Sequence, residues 1–340
     1  MSQILSWNCQ GLGRALIVHK LRELIRSHSL SVVFLCETKQ SNFRVNRLRR
    51  QFKFYKGETV LPSRISAGGL AIWWCPEVDV ISRSQNLIDT VIKFSSVDAP
   101  TRVTFFYGPP YNEDKLPFWS SIENLAFSNP SVWVCIGDFN KVASMDEEGG
   151  VSWSWSITRF LRNFMENNGL LDLHFTGPRL TWENKREDVN EIIRERLDQA
   201  IGNAEWLHDW PESFVKHEPR IGSDHCPMIL YFQEKVVRFK KPFRFEASWV
   251  KDPDCDEVVA ACWKSKCSNP FRRWSENLES CKSGLARSSK AMFPNNKLRV
   301  ERLQNALLAL QEGPVSCDSK EKEQALLQEI NHTWNLEESF

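Results

Sequence analysis

Asp138 and Asn140 are the first residues in this chain that indicate chemistry, because they follow the apolar run from Val132 to Ile136. Such a run, bounded by turn residues, is typical of a buried strand, and the two-residue period of a strand puts Asp138 and Asn140 on one side and Phe139 on the other. A carboxylate and an amide on a rigid base can bind a hard cation or a phosphoryl oxygen. Alone, the stretch fits equally well an Asp-Phe-Asn turn that only closes the strand.

Polar residues also follow several other predicted strands, all within the first two-thirds of the chain. The full set is Asn8, Glu37, Tyr107, Asp138, Asn140, Asp198, Asp224 and His225. Taken singly, Glu37 is more often a charge at a helix start, and Tyr107 a packed ring with its hydroxyl in water. Because so many strand ends carry such residues, which is hard to obtain by accident, we expect these side chains to form one site.

The segments between these residues alternate between strand and helix patterns. The segment Ala15–His28 has apolar residues at helical spacing and lies between two predicted strands, which indicates a crossover unit with Asn8 and Glu37 at one edge of the sheet. Further helices are predicted over 115–127 and 157–168, and further strands over 68–74, 79–82, 90–94, 101–107, 170–173, 180–184, 196–200, 213–217 and 228–232. The charged stretch 185–195 is predicted to be an exposed loop.

The composition limits the classes of function. The chain has 340 residues and a formal net charge of +1, so any preference for nucleic acid must be local. Its 10 cysteines show neither Cys-x-x-Cys pairs nor the Cys/His spacing of a zinc module, which predicts a reducing compartment without disulfides. No signal peptide and no apolar run of the ~20 residues that span a bilayer are found. We therefore expect a soluble nuclear or cytoplasmic protein that is not secreted and contacts no membrane.

Six short motifs, taken in order, resemble those of the endonuclease/exonuclease/phosphatase superfamily. They are Ser6-Trp7-Asn8, Cys36-Glu37-Thr38, Tyr107-Gly108-Pro109, Ile136-Gly137-Asp138-Phe139-Asn140, Arg196-Leu197-Asp198 and Ser223-Asp224-His225. More narrowly, the chain resembles the apurinic-endonuclease-like domain that begins the polyprotein of plant non-LTR (LINE-type) retrotransposons. The resemblance runs from Gln3 to about Phe232. It implies an α/β fold, a four-layer sandwich of two mixed β-sheets with outer helices, followed by an α-helical extension.

The resemblance also implies an activity, which is Mg²⁺-dependent hydrolysis of DNA phosphodiester bonds, as in target-site nicking, with Mn²⁺ as an alternative ion. The metal-binding positions that it implies are Asn8, Glu37, Asp138, Asn140, Asp224 and His225. The catalytic positions that it implies are Tyr107, Asp138, Asn140, Asp198 and His225. Oxygen-rich ligands without cysteine agree with Mg²⁺ or Mn²⁺ rather than zinc.

Within these sets the resemblance gives each residue a role. Asn8 and Glu37 match the primary metal ligands, and Asp138 matches the residue that orients or deprotonates the attacking water. His225, oriented by Asp198, matches the group that holds the scissile phosphate.

The remaining roles concern the phosphate and the nucleic acid. Asn140 matches the partner of Asp138 on the phosphate, and Tyr107 a phenol near the phosphate or leaving group. Trp182 and Asn184 match a substrate-binding loop near the nucleic acid. In a chain with 14 tryptophans, however, a core position is the better interpretation of Trp182 than a substrate-binding position.

Two other functions stay open at this point. One is a phosphatase or phosphodiesterase of the same superfamily that acts on a small phosphoester, for which the same metal site would serve. The other is a catalytically silent relic of a retroelement. The presence of every polar residue of the site argues against the relic.

The domain prediction divides the chain at residue 233. Residues 1–233 are the predicted nuclease domain, and 234–340 are a basic linker and a helical extension, with helices over 256–263, 270–292, 297–311 and 319–336. In the resembling elements this region precedes a reverse transcriptase. Because the chain has no Tyr-x-Asp-Asp motif, we expect no polymerase activity and a chain truncated before that enzyme. The expected partner is DNA, with RNA second and no obligate protein partner, and the apolar faces of the tail are expected to contact the missing domain.

Overall fold

The computed structural model describes residues 2–62, 68–94, 100–122, 125, 132–144, 147–149, 159–232, 253–265, 268–292 and 294–339. The strands are β1 (Ser2–Asn8), β2 (Leu30–Cys36), β3 (Lys56–Val60), β4 (Leu70–Trp74), β5 (Glu77–Arg83), β6 (Leu87–Lys93), β7 (Thr101–Tyr107), β8 (Trp133–Asp138), β9 (Glu148–Gly149), β10 (Leu171–Asp172), β11 (Phe175–Thr176), β12 (Trp182–Glu183), β13 (Arg194–Glu195), β14 (Asp198–Gly202), β15 (Phe214–His217) and β16 (Met228–Phe232). The α-helices are α1 (Ala15–Ser27), α2 (Asn42–Gln51), α3 (Asn112–Ile122), α4 (Arg159–Asn167), α5 (Ala204–Asp209), α6 (Pro253–Cys262), α7 (Pro270–Met292), α8 (Pro294–Glu312) and α9 (Cys317–Ser339).

The chain divides into two compact units. The first contains Met1–Val236 and Leu308–Glu321, and the second contains Val237–Leu307 and Lys322–Phe340. Residues 308–321, which the sequence assigns to the helical extension, are thus grouped with the first unit. The predicted domain boundary at residue 233 stays a prediction.

Two large sheets, both mixed, form the centre of the first unit. Over the described residues, one has the strand order β11-β15-β16-β1-β2-β4-β3, and the other has the order β10-β14-β8-β7-β6-β5. The pairs β1/β2 and β7/β8 are parallel, whereas the other neighbours within these sheets are antiparallel, apart from β11/β15. A third, small sheet has the order β12-β13-β9.

The period of two along the strands produces the layers. Phe34 of β2 and Phe105 of β7 point between the two sheets, where their rings stack with centroids 5.0 Å apart. Their sequence neighbours point outward: Val33 packs with α1, and Phe106 packs with α3 and α4. Helix, sheet, sheet and helix therefore follow one another, which confirms the predicted α/β sandwich with two mixed sheets.

Several elements differ from the sequence prediction. Helix α2 was not predicted, because only Val45 and Leu48 provide an apolar face among its arginines and polar residues. The helix predicted over 115–127 is observed as Asn112–Ile122, and of the remainder only residue 125 is described. The helix predicted over 157–168 is observed as Arg159–Asn167, and its first two positions lie outside the described residues.

The described part of the helical extension contains four helices, as the pattern predicts. In the second unit α6 and α7 approach closely, since a Cβ at Gly284 would lie 2.3 Å from the Cys262 sulfur. Ile330 and Trp334 of α9 are buried. Among the described residues, none of the helices has the length and apolarity needed to span a membrane.

Candidate active site

The ends of five strands carry the site residues, and sheet pairing brings them into register. Asp138, at the end of β8, pairs with Tyr107 of β7 on one side and with Asp198 of β14 on the other. In the first sheet Asn8 pairs with Cys36, so that Asn8 and Glu37 lie at the same edge. Each sheet thus contributes one group of polar residues to a common rim.

A glycine permits the close approach of the strands next to Asp138. A Cβ at Gly137 would lie 2.0 Å from the carbonyl oxygen of Phe106 on the neighbouring strand. Because no side chain fits there, β7 and β8 could not pair at this point with another residue in place of Gly137.

Hydrogen bonds join the two sheets at this rim. The Asn8 amide Nδ2 donates to Asp138 Oδ2 over 2.9 Å and lies 3.3 Å from His225 Nε2. All three residues are buried, with at most 3 % of each exposed. Polar groups removed from water in this way require such partners, so the contacts fix the relative position of the two strand ends.

His225 and Asp198 form a buried pair. His225 Nδ1 lies 2.9 Å from Asp198 Oδ2, and His225 Nε2 lies 3.9 Å from Asp138 Oδ2. Burial lowers the pKa of His225, but the carboxylates of Asp198 and Asp138 outweigh it and raise the pKa to about 9. The raised pKa favours the protonated imidazole at neutral pH, in which Nδ1 donates to Asp198.

Asp138 is a buried carboxyl group, so burial raises its pKa, whereas burial lowers the pKa of an imidazole. Burial and the nearby Asp198 raise its pKa to about 7, although His225 and the Asn8 amide lower it. A group whose pKa lies near neutral pH can both accept and release a proton under physiological conditions.

Asn140 orients the Asp138 carboxylate from the loop that follows β8. Its backbone N–H donates to Asp138 Oδ1 over 2.9 Å, and its side-chain amide donates to Gly108 O over 2.7 Å. Asn140 has a φ of 49°, in the left-handed region that non-glycine residues rarely adopt. Residues held in this region are concentrated at functional sites, where surrounding contacts offset the strain.

Glu37 is the second non-glycine residue of the site in the left-handed region, with a φ of 53°. The Tyr107 hydroxyl donates to Glu37 Oε1, and Lys39 Nζ lies 3.0 Å from Glu37 Oε2. Burial and the negative charge of Glu37 raise the pKa of Tyr107, so the phenol stays a proton donor. Glu37 is thus held in one orientation from both sides.

The donor set at this rim fits a hard divalent cation. Among the described residues, a carboxylate oxygen of Asp138, a carboxylate oxygen of Asp198 and a ring nitrogen of His225 lie within 4.8 Å of one another. Glu37 and Asn8 add a further carboxylate and a further amide. Burial and the nearby Asp198 carboxylate raise the pKa of Asp138, and both disfavour its negative charge in the absence of a cation. A cation with oxygen ligands would supply the missing charge.

Asp224, Trp182 and Asn184 lie beside this group rather than in it. Asp224 Oδ1 lies 3.3 Å from the Ser223 hydroxyl oxygen. The half-buried Trp182 ring lies 6.4 Å from the His225 ring, centroid to centroid. The Asn184 side chain bonds to the backbone of its own loop, at Glu191 O (2.9 Å). The predicted metal role of Asp224 and the substrate roles of Trp182 and Asn184 stay predictions.

Three residues of the site carry no predicted role. Lys39 pairs with Glu37, as described above. The Ser223 hydroxyl donates to Asn8 O over 2.7 Å and accepts from His225 N over 3.1 Å. The Thr181 hydroxyl accepts from the Asp198 backbone N–H over 3.0 Å. Lys39, Ser223 and Thr181 all lie within two residues of predicted site residues, but the contact of Thr181 with Asp198 joins two different strand segments and has no signal in the local pattern.

Structural comparison shows which known folds the chain is similar to. It is similar to a 3′ phosphatase, NExo, from Neisseria bound to a product DNA hairpin (TM-score 0.53, 16 % identity, 68 % of this chain and 99 % of that one). It is also similar to an AP endonuclease from Archaeoglobus fulgidus (TM-score 0.52, 16 % identity, 68 % and 100 %). A third similar structure is the endonuclease domain of TRAS1, a telomere-specific non-LTR retrotransposon (TM-score 0.49, 16 % identity, 69 % and 100 %).

Sequence comparison shows the family. None of the curated proteins compared with the chain matches it. The model of the Endonuclease/Exonuclease/phosphatase family matches residues 5–225, a range that contains Asn8 at one end and His225 at the other. The chain therefore belongs to the endonuclease/exonuclease/phosphatase family.

Proposed function

We propose that the protein is a Mg²⁺-dependent endonuclease that hydrolyses DNA phosphodiester bonds, as in the target-site nicking of a non-LTR retrotransposon. The observation that carries this proposal is the buried His225–Asp198 pair, joined over 2.9 Å beside Asp138. A buried cation next to a carboxylate of near-neutral pKa suits a reaction in which water attacks an anionic phosphate.

Each residue has a role in this mechanism that follows from its contacts. Asp138, which lies between the Asn140 N–H and the Asn8 amide, accepts the proton of the attacking water. The cationic imidazole of His225 donates to a phosphate oxygen and stabilises the charge that develops there, while Asp198 keeps its ring in place. Asn140 orients Asp138 through the hydrogen bond to Oδ1. Tyr107 orients Glu37 and keeps its own proton.

A divalent ion would be held by Glu37, Asn8 and Asp138, with Asp224 as a candidate ligand of a second ion. When bound, it would supply Lewis acidity to the phosphate oxygens and lower the pKa of a bound water. His225 Nδ1 is bonded to Asp198, so Nε2 is the ring nitrogen that remains for the substrate, and we assign it to the phosphate rather than to the ion.

A basic helix near the rim supports a nucleic-acid substrate over a small phosphoester. Helix α2 contains no acidic residue and exposes Phe43, Arg44, Arg47 and Arg50. Arg44 donates to Gly13 O over 2.9 Å, which ties the helix to the loop that follows Asn8. Arginines and an exposed aromatic ring at such a position suit a phosphate backbone, and a small phosphoester would leave them without a partner. The DNA hairpin bound to the similar Neisseria protein supports the same substrate class.

The resemblance to plant non-LTR elements supports two finer statements. We propose that the chain derives from such an element. We also propose that it acts in the nucleus or cytoplasm, where its DNA substrate and a reducing environment occur together.

The test is nicking of supercoiled plasmid by the full chain, with Mg²⁺ and with a chelator. We expect nicking only with metal, and a loss of at least ~100-fold in rate for Asp138→Ala and for His225→Ala. The exposed neighbours His208 and Asp209 provide matched controls, and His208→Ala and Asp209→Ala should nick as the wild type does. Circular dichroism checks that each variant is folded.

Two results would contradict the proposal. A folded wild type that leaves plasmid intact but hydrolyses a soluble phosphoester would assign the site to the phosphatase alternative. A folded wild type that is inactive on both substrates would assign the chain to the silent relics.

A further inference from the structure

Residues 308–321 belong to the first unit, and they contact loops of the site although they are distant from them in sequence. Gln311 is 3 % exposed and makes two reciprocal hydrogen bonds with the backbone of Arg220. Its Oε1 accepts from Arg220 N over 3.0 Å, and its Nε2 donates to Arg220 O over 3.1 Å. Because Arg220 lies five residues before His225, this contact is made on the loop that carries the catalytic imidazole.

Two further contacts join this segment to the hairpin that contains Trp182. Arg194 Nη1 donates to Gln311 O over 3.0 Å and to Gly313 O over 2.9 Å. Lys320 Nζ donates to the carbonyl oxygen of Arg186, in the loop between β12 and β13. The segment is therefore bonded to both the His225 loop and the β12–β13 hairpin.

Glu183 connects these two elements to each other and to the site. Its Oε2 accepts from Arg194 Nε over 2.8 Å and from Arg220 Nη2 over 3.3 Å. Its backbone N–H donates to Asp224 O over 3.2 Å. Glu183, Arg220 and Gln311 are all buried. If one of them is replaced, a polar group of its partner is left with neither a hydrogen bond nor access to water.

The segment is held by these polar bonds rather than by continuous apolar packing. Between the segment and the hairpin lies an open cavity of about 670 Å³, lined by Ile192 and Arg194 on one side and by residues 311–315 on the other. With such a cavity at the contact, few apolar contacts would replace the hydrogen bonds of Gln311 in a variant without them.

We propose that residues 308–321 position the active-site loops of the nuclease, with Gln311 as the main positioning residue. This inference rests on the proposed function. The segment fixes the position of the His225 loop relative to the Trp182 hairpin. The imidazole is then correctly placed for a phosphate that the hairpin helps to bind. A displacement of about 1 Å at such groups is enough to reduce a rate strongly.

The first test measures this arrangement without activity. Hydrogen exchange of the full chain is compared for wild type, Gln311→Ala and Asn305→Ala, an exposed amide on the same helix. We expect faster exchange in Gln311→Ala over residues 181–196 and 218–226, and no change in Asn305→Ala. Exchange that stays at the wild-type level in both regions of Gln311→Ala would overturn the proposal.

The second test separates positioning from stability. At a temperature where both proteins are fully folded, we expect kcat for plasmid nicking to fall about tenfold in Gln311→Ala, with KM changed less than about twofold. Asn305→Ala should keep both constants. A variant with a lower Tm but the wild-type kcat would show a merely structural contact and overturn the proposal. An inactive wild type would instead contradict the proposed function, and hydrogen exchange would still decide whether the segment orders the loops.

Discussion

At the residue scale, the protonation of His225 decides what the site can do. Burial alone would make the imidazole neutral, and the adjacent carboxylates of Asp198 and Asp138 reverse that effect. For Asp138, burial and the Asp198 carboxylate both raise the pKa, and His225 and the Asn8 amide oppose them, which leaves the pKa at about 7. The site therefore places a protonated imidazole next to a carboxylate that can accept a proton, and phosphate hydrolysis uses both groups.

The raised pKa of His225 predicts a pH-dependent stability in metal-free protein. The pKa is 6.5 for the ordinary group and about 9 in the folded chain, so its stabilisation is complete below pH 6.5 and is lost as the pH rises through 9. We expect the difference in free energy of unfolding between wild type and His225→Gln to shrink by roughly 1–3 kcal/mol across that window. Urea unfolding with chelator measures it. A difference that is constant with pH would contradict the ion pair.

Glu37 gives a prediction about the metal. If its carboxylate holds the divalent ion, Glu37→Gln should raise the Mg²⁺ concentration for half-maximal nicking by about tenfold or more, because an amide replaces a charged oxygen ligand. Activity should recover at high Mg²⁺. The control is Glu58→Gln, which removes a carboxylate that pairs with Arg83 away from the site. An unchanged Mg²⁺ requirement would argue against Glu37 as a ligand.

At the element scale, helix α2 illustrates how a weakly amphipathic segment can still fold and serve the site. Val45 and Leu48 bury its inner face, and the Ser41 hydroxyl accepts from Arg44 N at its start. The outer face keeps Arg47 and Arg50 in solvent. Apolar packing therefore needs only two residues of the helix, and the remaining positions are available for contacts with substrate.

This basic face predicts the salt dependence of DNA binding. We expect Arg44→Gln/Arg47→Gln/Arg50→Gln to weaken binding of duplex DNA in chelator and to reduce the slope of log K against log salt by roughly 0.9 for each phosphate that the variant helix no longer neutralises. Fluorescence anisotropy measures both quantities. The control removes the same charge elsewhere on the first unit, with Arg26→Gln/Arg83→Gln/Lys93→Gln. Equal slopes for the two triple variants would mean that α2 does not contact the phosphates.

At the scale of the whole first unit, the site exists only while the two sheets stay packed. Asn8 and Glu37 belong to one sheet, and Asp138 and Asp198 belong to the other. The core between the sheets, in which Phe34 stacks on Phe105, sets the distance between these two groups. A loss of packing between the two sheets would therefore also separate the two groups of site residues.

A substitution in the core between the sheets tests this dependence. Phe105 is fully buried, and Phe105→Ala should lower the free energy of unfolding by about 3–5 kcal/mol, because a large cavity remains between the sheets. Nicking should be lost at a correspondingly lower temperature. The control is Phe43→Ala, since Phe43 is 78 % exposed and its loss should cost less than about 0.5 kcal/mol. Thermal unfolding measures both variants, and equal Tm values would contradict the packing.

Local pattern in the sequence determined the α/β class and put most of the candidate site residues at the ends of strands. Apolar runs and their two-residue period located β1, β2, β7, β8 and β16, and chain order put Asn8, Glu37, Tyr107 and Asp138 at strand ends. These properties are local, since a few neighbouring side chains decide whether a segment is a buried strand. Helix α2 was not predicted, because arginines dominate its local pattern and leave few apolar residues at helical spacing.

Tertiary structure alone decided the properties that depend on distance through space. The pairing of Asp138 with Asp198 is set by strand register, and the protonation of His225 by burial and by charges from two other strands. The role of Thr181 depends on a contact across the fold. The grouping of residues 308–321 with the first unit depends on bonds between segments about 90 residues apart. The period of apolar residues along the sequence carries no information on these distances, because they are set only when separate elements pack against one another.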